Sequence, residues 1–161
     1  SEKAKFSYDV EYAQQSDNGD NPNEVDAGYL RLQAGISASG FSAAIGQETL
    51  DGNPEDGKFT TPLATLHKYN GWADRFLATP AYGLVDTYFV LGYVKNNWSV
   101  KGIYHDFSSD TDSMDYGTEI DFLATYKTSW KQVFGLKIAA YDADQYSADT
   151  TKLMFFTAYA F

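Results

Sequence analysis

Apolar and polar side chains alternate one for one along most of this chain. Phe6, Tyr8, Val10 and Tyr12 interleave with Lys5, Ser7, Asp9 and Glu11. Leu30, Leu32, Ala34 and Ile36 interleave with Tyr29, Arg31, Gln33 and Gly35, and Phe41, Ala43 and Ile45 with Ser42, Ala44, Gly46 and Glu48. A fourth segment, Leu84 to Val94, places Val85, Thr87, Phe89, Leu91 and Tyr93 on one face. The pattern returns around Trp98–His105, Glu119–Tyr126, Phe134–Tyr141 and Lys152–Phe161. A period of two belongs to a strand whose two faces meet different surroundings. Eight strands are predicted, of roughly 8–12 residues each, close to the ~9–11 that cross a bilayer at barrel tilt.

The connectors carry a second pattern. They fall at 13–24, 37–40, 50–83, 95–97, 108–116, 128–131 and 142–150, and long and short alternate without exception. Outer-membrane barrels have short periplasmic turns and longer extracellular loops. A sandwich has no physical reason to sort its loops by length onto opposite ends. The expected fold is therefore all-β: an antiparallel up-and-down transmembrane β-barrel, one domain over 1–161, with a long extracellular loop at 50–83. Both termini then lie on the periplasmic side of a bacterial outer membrane. The chain closes on Phe161 within an alternating segment, as outer-membrane proteins do at their insertion signal.

Composition narrows the chemistry. Aromatic residues make up 17% and charged residues 21%, and mean hydropathy is −0.41. A spanning helix needs ~20 apolar residues, and the charge-free run from Leu32 to Gln47 is broken by Ser37, Ser39, Gly40 and Ser42. Barrel strands escape hydropathy because their two faces average out. Without cysteine there is no disulfide framework, thiolate metal site or cysteine nucleophile. A formal charge of −10 argues against nucleic acid as a partner.

Several stretches resemble one family. The segment from Thr61 to Pro80, containing His67-Lys68-Tyr69-Asn70-Gly71-Trp72-Ala73-Asp74-Arg75-Phe76, resembles a long loop of the alginate-export family of porin-like outer-membrane proteins. So do Gly83 to Tyr88, Tyr104 to Phe107, Asp115 to Glu119 and the end from Thr150 to Phe161. The resemblance implies a channel for passive passage of small solutes or anionic saccharides in a Gram-negative outer membrane. Members of that family are typically more than twice as long, and this chain matches their C-terminal part. Two forms are expected: a complete small barrel of eight strands, or part of a larger one. Eight strands leave an interior just filled by side chains, whereas wider barrels hold a channel.

The phase of alternation places Lys5, Arg31, Lys101, Lys127, Lys137 and Lys152 inside, facing Asp9, Glu11, Glu48, Asp86, Glu119 and Asp121. These twelve are the expected pore-lining residues, and their charges balance. An alginate conduit should show a basic excess in its lumen, which this set does not. Much of the negative charge therefore falls in the loops, at Asp17, Asp20, Asp110, Asp112, Asp142 and Asp144 among others. Within the long loop, Leu63, Leu66, Trp72, Phe76 and Leu77 suggest a short helix with one apolar side between Pro62 and Pro80. That segment, with His67, Lys68, Trp72, Arg75 and Phe76, either constricts the mouth or packs over the rim.

Other chemistry is weakly signalled. The acidic runs Asp17-Asn18-Gly19-Asp20-Asn21 and Asp142-Ala143-Asp144 do not complete a calcium-binding loop of EF-hand type. They read as solvated surface or as contacts to lipopolysaccharide through divalent cations, and neither a resident metal nor a cofactor is expected. His105 and Asp106 are neighbours in sequence and so point to opposite faces of a strand, which argues against a catalytic set and against an enzyme. His105 is expected at the lumen rim. Tyr12, Trp98, Tyr104, Tyr126, Tyr159 and Phe161 suit interfacial girdles in contact with outer-membrane lipid. Two alternatives stay open: a plugged eight-stranded barrel with a structural or adhesive role through its acidic loops, and a soluble ligand-binding barrel with the apolar faces inside.

Overall fold

The computed structural model describes residues 3–20, 25–55, 57–62, 67 and 69–159. Eight long strands form one sheet: β1 (Lys5–Ser16), β2 (Asp26–Ala38), β3 (Phe41–Leu50), β6 (Leu84–Lys95), β7 (Trp98–Ser108), β8 (Asp115–Lys127), β9 (Gln132–Ala143) and β10 (Thr150–Tyr159). Two short strands, β4 (Gly52–Asn53) and β5 (Gly57–Lys58), make a small hairpin inside the long connection. Every neighbour in the large sheet is the next long strand in sequence, and every pair is antiparallel. All eight predicted strands are present.

The short connections are tight hairpins. Between β2 and β3, Ser39 and Gly40 both have positive φ (51° and 84°), as a two-residue turn matched to strand twist requires. Glycine is needed at the second position, where a Cβ would lie 2.4 Å from the Val94 carbonyl oxygen. Between β6 and β7, Asn96 takes the left-handed conformation (φ 54°), which asparagine tolerates better than most residues.

The two faces differ as the alternation predicts. Phe6, Tyr8, Val10, Leu32, Ile45, Phe89, Leu91, Ile120 and Phe155 project from the convex face and remain exposed, Phe6 by 82% and Tyr8 by 86%. On the concave face, β2 and β3 bring Tyr29 and Glu48 together and β6 and β7 bring Asp86 and His105 together. The buried apolar cluster also lies on this side, toward the long connections. It comprises Tyr29, Leu50, Phe59, Trp72, Phe76, Leu84, Phe107, Tyr116 and Tyr141 with three alanines.

Closure at eight strands, one of the two forms expected above, is not observed. β1 and β10 are the two edges of the sheet and do not pair. The reason is visible on the concave face. An eight-stranded barrel has room only for its own side chains, and here the backbone of Gly71, Trp72 and Ala73 lies against the inward side chains of β8 and the Asn70 side chain against those of β3 and β6. A wall that holds a chain segment against itself must curve more gently.

Candidate functional site

The segment from Asn70 to Phe76 folds back onto the concave face. Asn70, Gly71 and Asp74 all have positive φ (53°, 82° and 59°), so over residues 69–80 the segment is a run of turns and not helical, while 63–66 and 68, the first part of the helix anticipated between Pro62 and Pro80, lie outside the described residues. Left-handed residues interrupt the i→i−4 ladder a helix needs. Their effect here is to aim two consecutive amides at the wall. Trp72 N–H donates to Asp121 Oδ2 (3.1 Å) and Ala73 N–H to Glu119 Oε1 (2.7 Å). Asn70 Nδ2 donates to Glu48 Oε2 (3.2 Å) and reaches Asp86 Oδ2 at 3.5 Å.

Beneath the loop lies a buried acidic group. Asp86 and Asp121, with 1% and 0% exposure, flank His105, whose Nδ1 donates to Asp86 Oδ1 (2.8 Å) and whose Nε2 lies 3.7 Å from Asp121 Oδ2. Tyr29 Oη donates to Glu48 Oε1 (2.7 Å). The expectation of His105 at the lumen rim is corrected: it is buried, stacked 5.3 Å from the Phe107 ring, because its carboxylate partners point into the same covered pocket. Asp106 is exposed, on the opposite face, as strand alternation requires.

A second, more accessible set joins the loop to β7, β9 and β10. The ammonium groups of Lys137 and Lys101 lie 4.2 Å and 5.0 Å from the centre of the Trp72 ring, a cation–π arrangement on the buried indole. His67 links the loop to this wall. Its Nδ1 donates to Asp74 Oδ1 (2.6 Å), and its Nε2 accepts from Lys137 Nζ (3.1 Å), so a single neutral tautomer satisfies both bonds. Lys152 Nζ donates to Asp74 Oδ2 (2.6 Å). Burial alone would raise the Asp74 carboxyl, but the hydrogen bonds from Lys152 and His67 outweigh it and hold that carboxyl below the usual aspartate range. Arg75 is tied to Ser147 in the connection between β9 and β10, with Nε donating to Oγ at 2.7 Å.

Phe76 anchors the far end of the segment. Its ring lies 4.4 Å from Phe107, 5.3 Å from Tyr146 and 5.7 Å, edge-on, from Tyr141. Leu77 stays exposed, while Lys68, Leu63, Leu66 and Phe161 lie outside the described residues.

The structure divides the twelve predicted lining residues into two groups. Glu48, Asp86, Glu119 and Asp121 are buried, all four beneath direct contacts from loop backbone or Asn70. All six bases keep solvent contact: Lys5 and Lys127 are exposed, and Arg31, Lys101, Lys137 and Lys152 are half-buried. Asp9 and Glu11 also remain accessible, and both pair with Arg31, at 2.6 Å and 3.6 Å. Sequence reasoning passed over Tyr29, Asn70 and Asp74. The only signal for the last two was their place in the 61–80 segment.

Elsewhere two acidic loop side chains, Asp17 and Asp149, serve the backbone. Asp17 Oδ1 accepts from Val25 N–H (3.2 Å) and Asp149 Oδ1 from Ala143 N–H (3.0 Å). Among the described residues no group of His, Asp and Glu converges as a metal site. No family model, curated protein or solved structure matches this chain.

Proposed function

We propose that this sheet is the wall of an outer-membrane β-barrel channel of the porin or alginate-export type, giving passive passage to small solutes with a preference for anionic saccharides. One observation carries the reading: the large apolar side chains stand exposed on the convex face, while charged side chains and a folded-in loop occupy the concave one. A water-soluble protein would hide such an apolar face. A bilayer makes it the favourable arrangement, with the polar face turned to a hydrated lumen. The sorting of connections by length, with tight hairpins joining β2 to β3 and β6 to β7 at the short-turn end, supports the same orientation.

The preference for anions rests on which charges meet water. The balanced count of six bases and six acids becomes unequal once four acids are covered. What remains accessible is Lys5, Arg31, Lys101, Lys127, Lys137 and Lys152 against Asp9, Glu11 and the Asp74 of the loop. A lumen lined this way concentrates anions near its wall. The second reading, a plugged barrel with a structural or adhesive role, draws support from the aromatic packing around Phe76, which fills the long-loop end. Planar-bilayer recording separates the two. The channel predicts stepwise conductance with chloride more permeant than potassium; a silent barrel would leave the structural role.

A further inference from the structure

The Asp74 carboxylate is held as a bound ligand would be held. One oxygen accepts from Lys152 Nζ and the other from His67 Nδ1, both at 2.6 Å. Lys137 stands behind the imidazole, donating to its Nε2 at 3.1 Å. The groups come from three parts of the fold: Lys137 from β9, Lys152 from β10 and His67 from the long connection. None is sealed. The side chains of Lys152 and His67 are about one-third exposed (34% and 38%) and that of Asp74 is 23% exposed. The backbone of Asp74 also sits at φ +59°, a conformation that costs an L-residue energy unless contacts hold it there. This outer contact differs from the inner ones, where Trp72 and Ala73 bond to fully buried carboxylates.

We propose that Lys152, His67 and Lys137 form a binding site for a carboxylate-bearing solute, which Asp74 occupies in the resting state as an internal surrogate. A solute carboxylate entering the site displaces Asp74, and the outer attachment of the loop is released while the inner amide contacts keep it in register. Entry of the solute and movement of the loop are thereby coupled. A self-occupied site binds more weakly than an empty one by the fraction of time the surrogate is absent. The inference rests on the concave face being a solute path, and it adds a specific station and a closing contact to that path.

The test uses the full chain in detergent micelles and in planar bilayers. Titration calorimetry with trigalacturonate, a uronic-acid oligosaccharide, is set beside maltotriose, its neutral counterpart. Asp74→Asn, which keeps the side-chain shape, is expected to tighten trigalacturonate binding roughly three- to tenfold and to leave maltotriose unchanged. Lys152→Gln placed on Asp74→Asn should abolish that gain. Asp74→Glu retains the competing charge and should stay near the parent affinity, which separates competition from damage to the loop. Unchanged trigalacturonate binding in Asp74→Asn, or equal tightening of both sugars, overturns the site. A calorimetric gain in a protein that shows no conductance supports the site and removes the channel. Conductance without the gain does the reverse.

Discussion

Gly71 occupies a position that no other residue fits well. Its φ is +82°, and a Cβ there would lie 2.4 Å from Glu119 Oε2. Gly71→Ala therefore meets both the left-handed penalty, about 1–2 kcal/mol, and a collision with a buried carboxylate. The two amides that follow would lose their aim at Asp121 and Glu119. The expected outcome is a loop cut by added protease at 69–80 many times faster than in the parent, with the strands still protected. Asp74 gives a second prediction at this scale. Its carboxyl is held below the ordinary value, so the folded form binds that proton less readily than the unfolded chain. The attachment it provides is complete above the ordinary aspartate pKa, near 4, and is lost as pH falls through the lower folded value. Acid titration of the Trp72 environment by fluorescence, in a variant with Trp98 and Trp130 replaced by Phe, should show a step that Asp74→Asn removes. A featureless titration of both proteins would count against the Asp74 contact.

At the scale of elements, the strands and the loop follow different physics. Each strand shows itself locally, because alternate residues must satisfy opposite faces. β2, for example, carries Leu30, Leu32 and Ile36 outward and Tyr29, Arg31 and Gln33 inward, and both the alternation and its phase were legible. The 61–80 segment was legible only as too long and too apolar for an idle connector. Its apolar residues suggested a helical side, yet Trp72 and Phe76 are separated by Asp74 in the left-handed conformation and meet different partners, Trp72 the Lys137 ammonium and Phe76 the Phe107 ring. Phe76 is the main apolar anchor of the segment. Phe76→Ala should cost the docked loop about 3–5 kcal/mol, the usual range for a buried phenylalanine. Hydrogen exchange of the Trp72 and Ala73 amides is the measurement: exchange close to the parent rate would show that the amide–carboxylate contacts suffice without the aromatic anchor.

For the molecule as a whole the question is which face meets water. Alternation alone leaves two answers, since a lipocalin-like barrel has the same period with its apolar faces inside. In the structure the apolar face is convex and exposed, and the sheet is open at β1 and β10. If that face meets lipid, a charge placed at its centre is costly and a charge on the opposite face is tolerated. Phe89→Lys should lower folding stability in bilayers by about 2–4 kcal/mol, whereas Gln33→Lys should be near neutral. Urea titration of folding into lipid vesicles measures both, and equal effects would contradict the assignment of faces.

The sequence by itself determined the number of strands, their order, the two faces of each and the ends at which long and short connections lie. These follow from period-two alternation and turn residues, which act over a few neighbouring positions. The tertiary structure alone decided that the sheet stays open and that a loop lies against its polar face. It also decided that four inward carboxylates are covered while six bases are not. Those outcomes depend on pairings such as Ala73 with Glu119 and Asp74 with Lys152. Residues so far apart in sequence meet only when sheet curvature and loop closure bring them together, and no local pattern records that meeting.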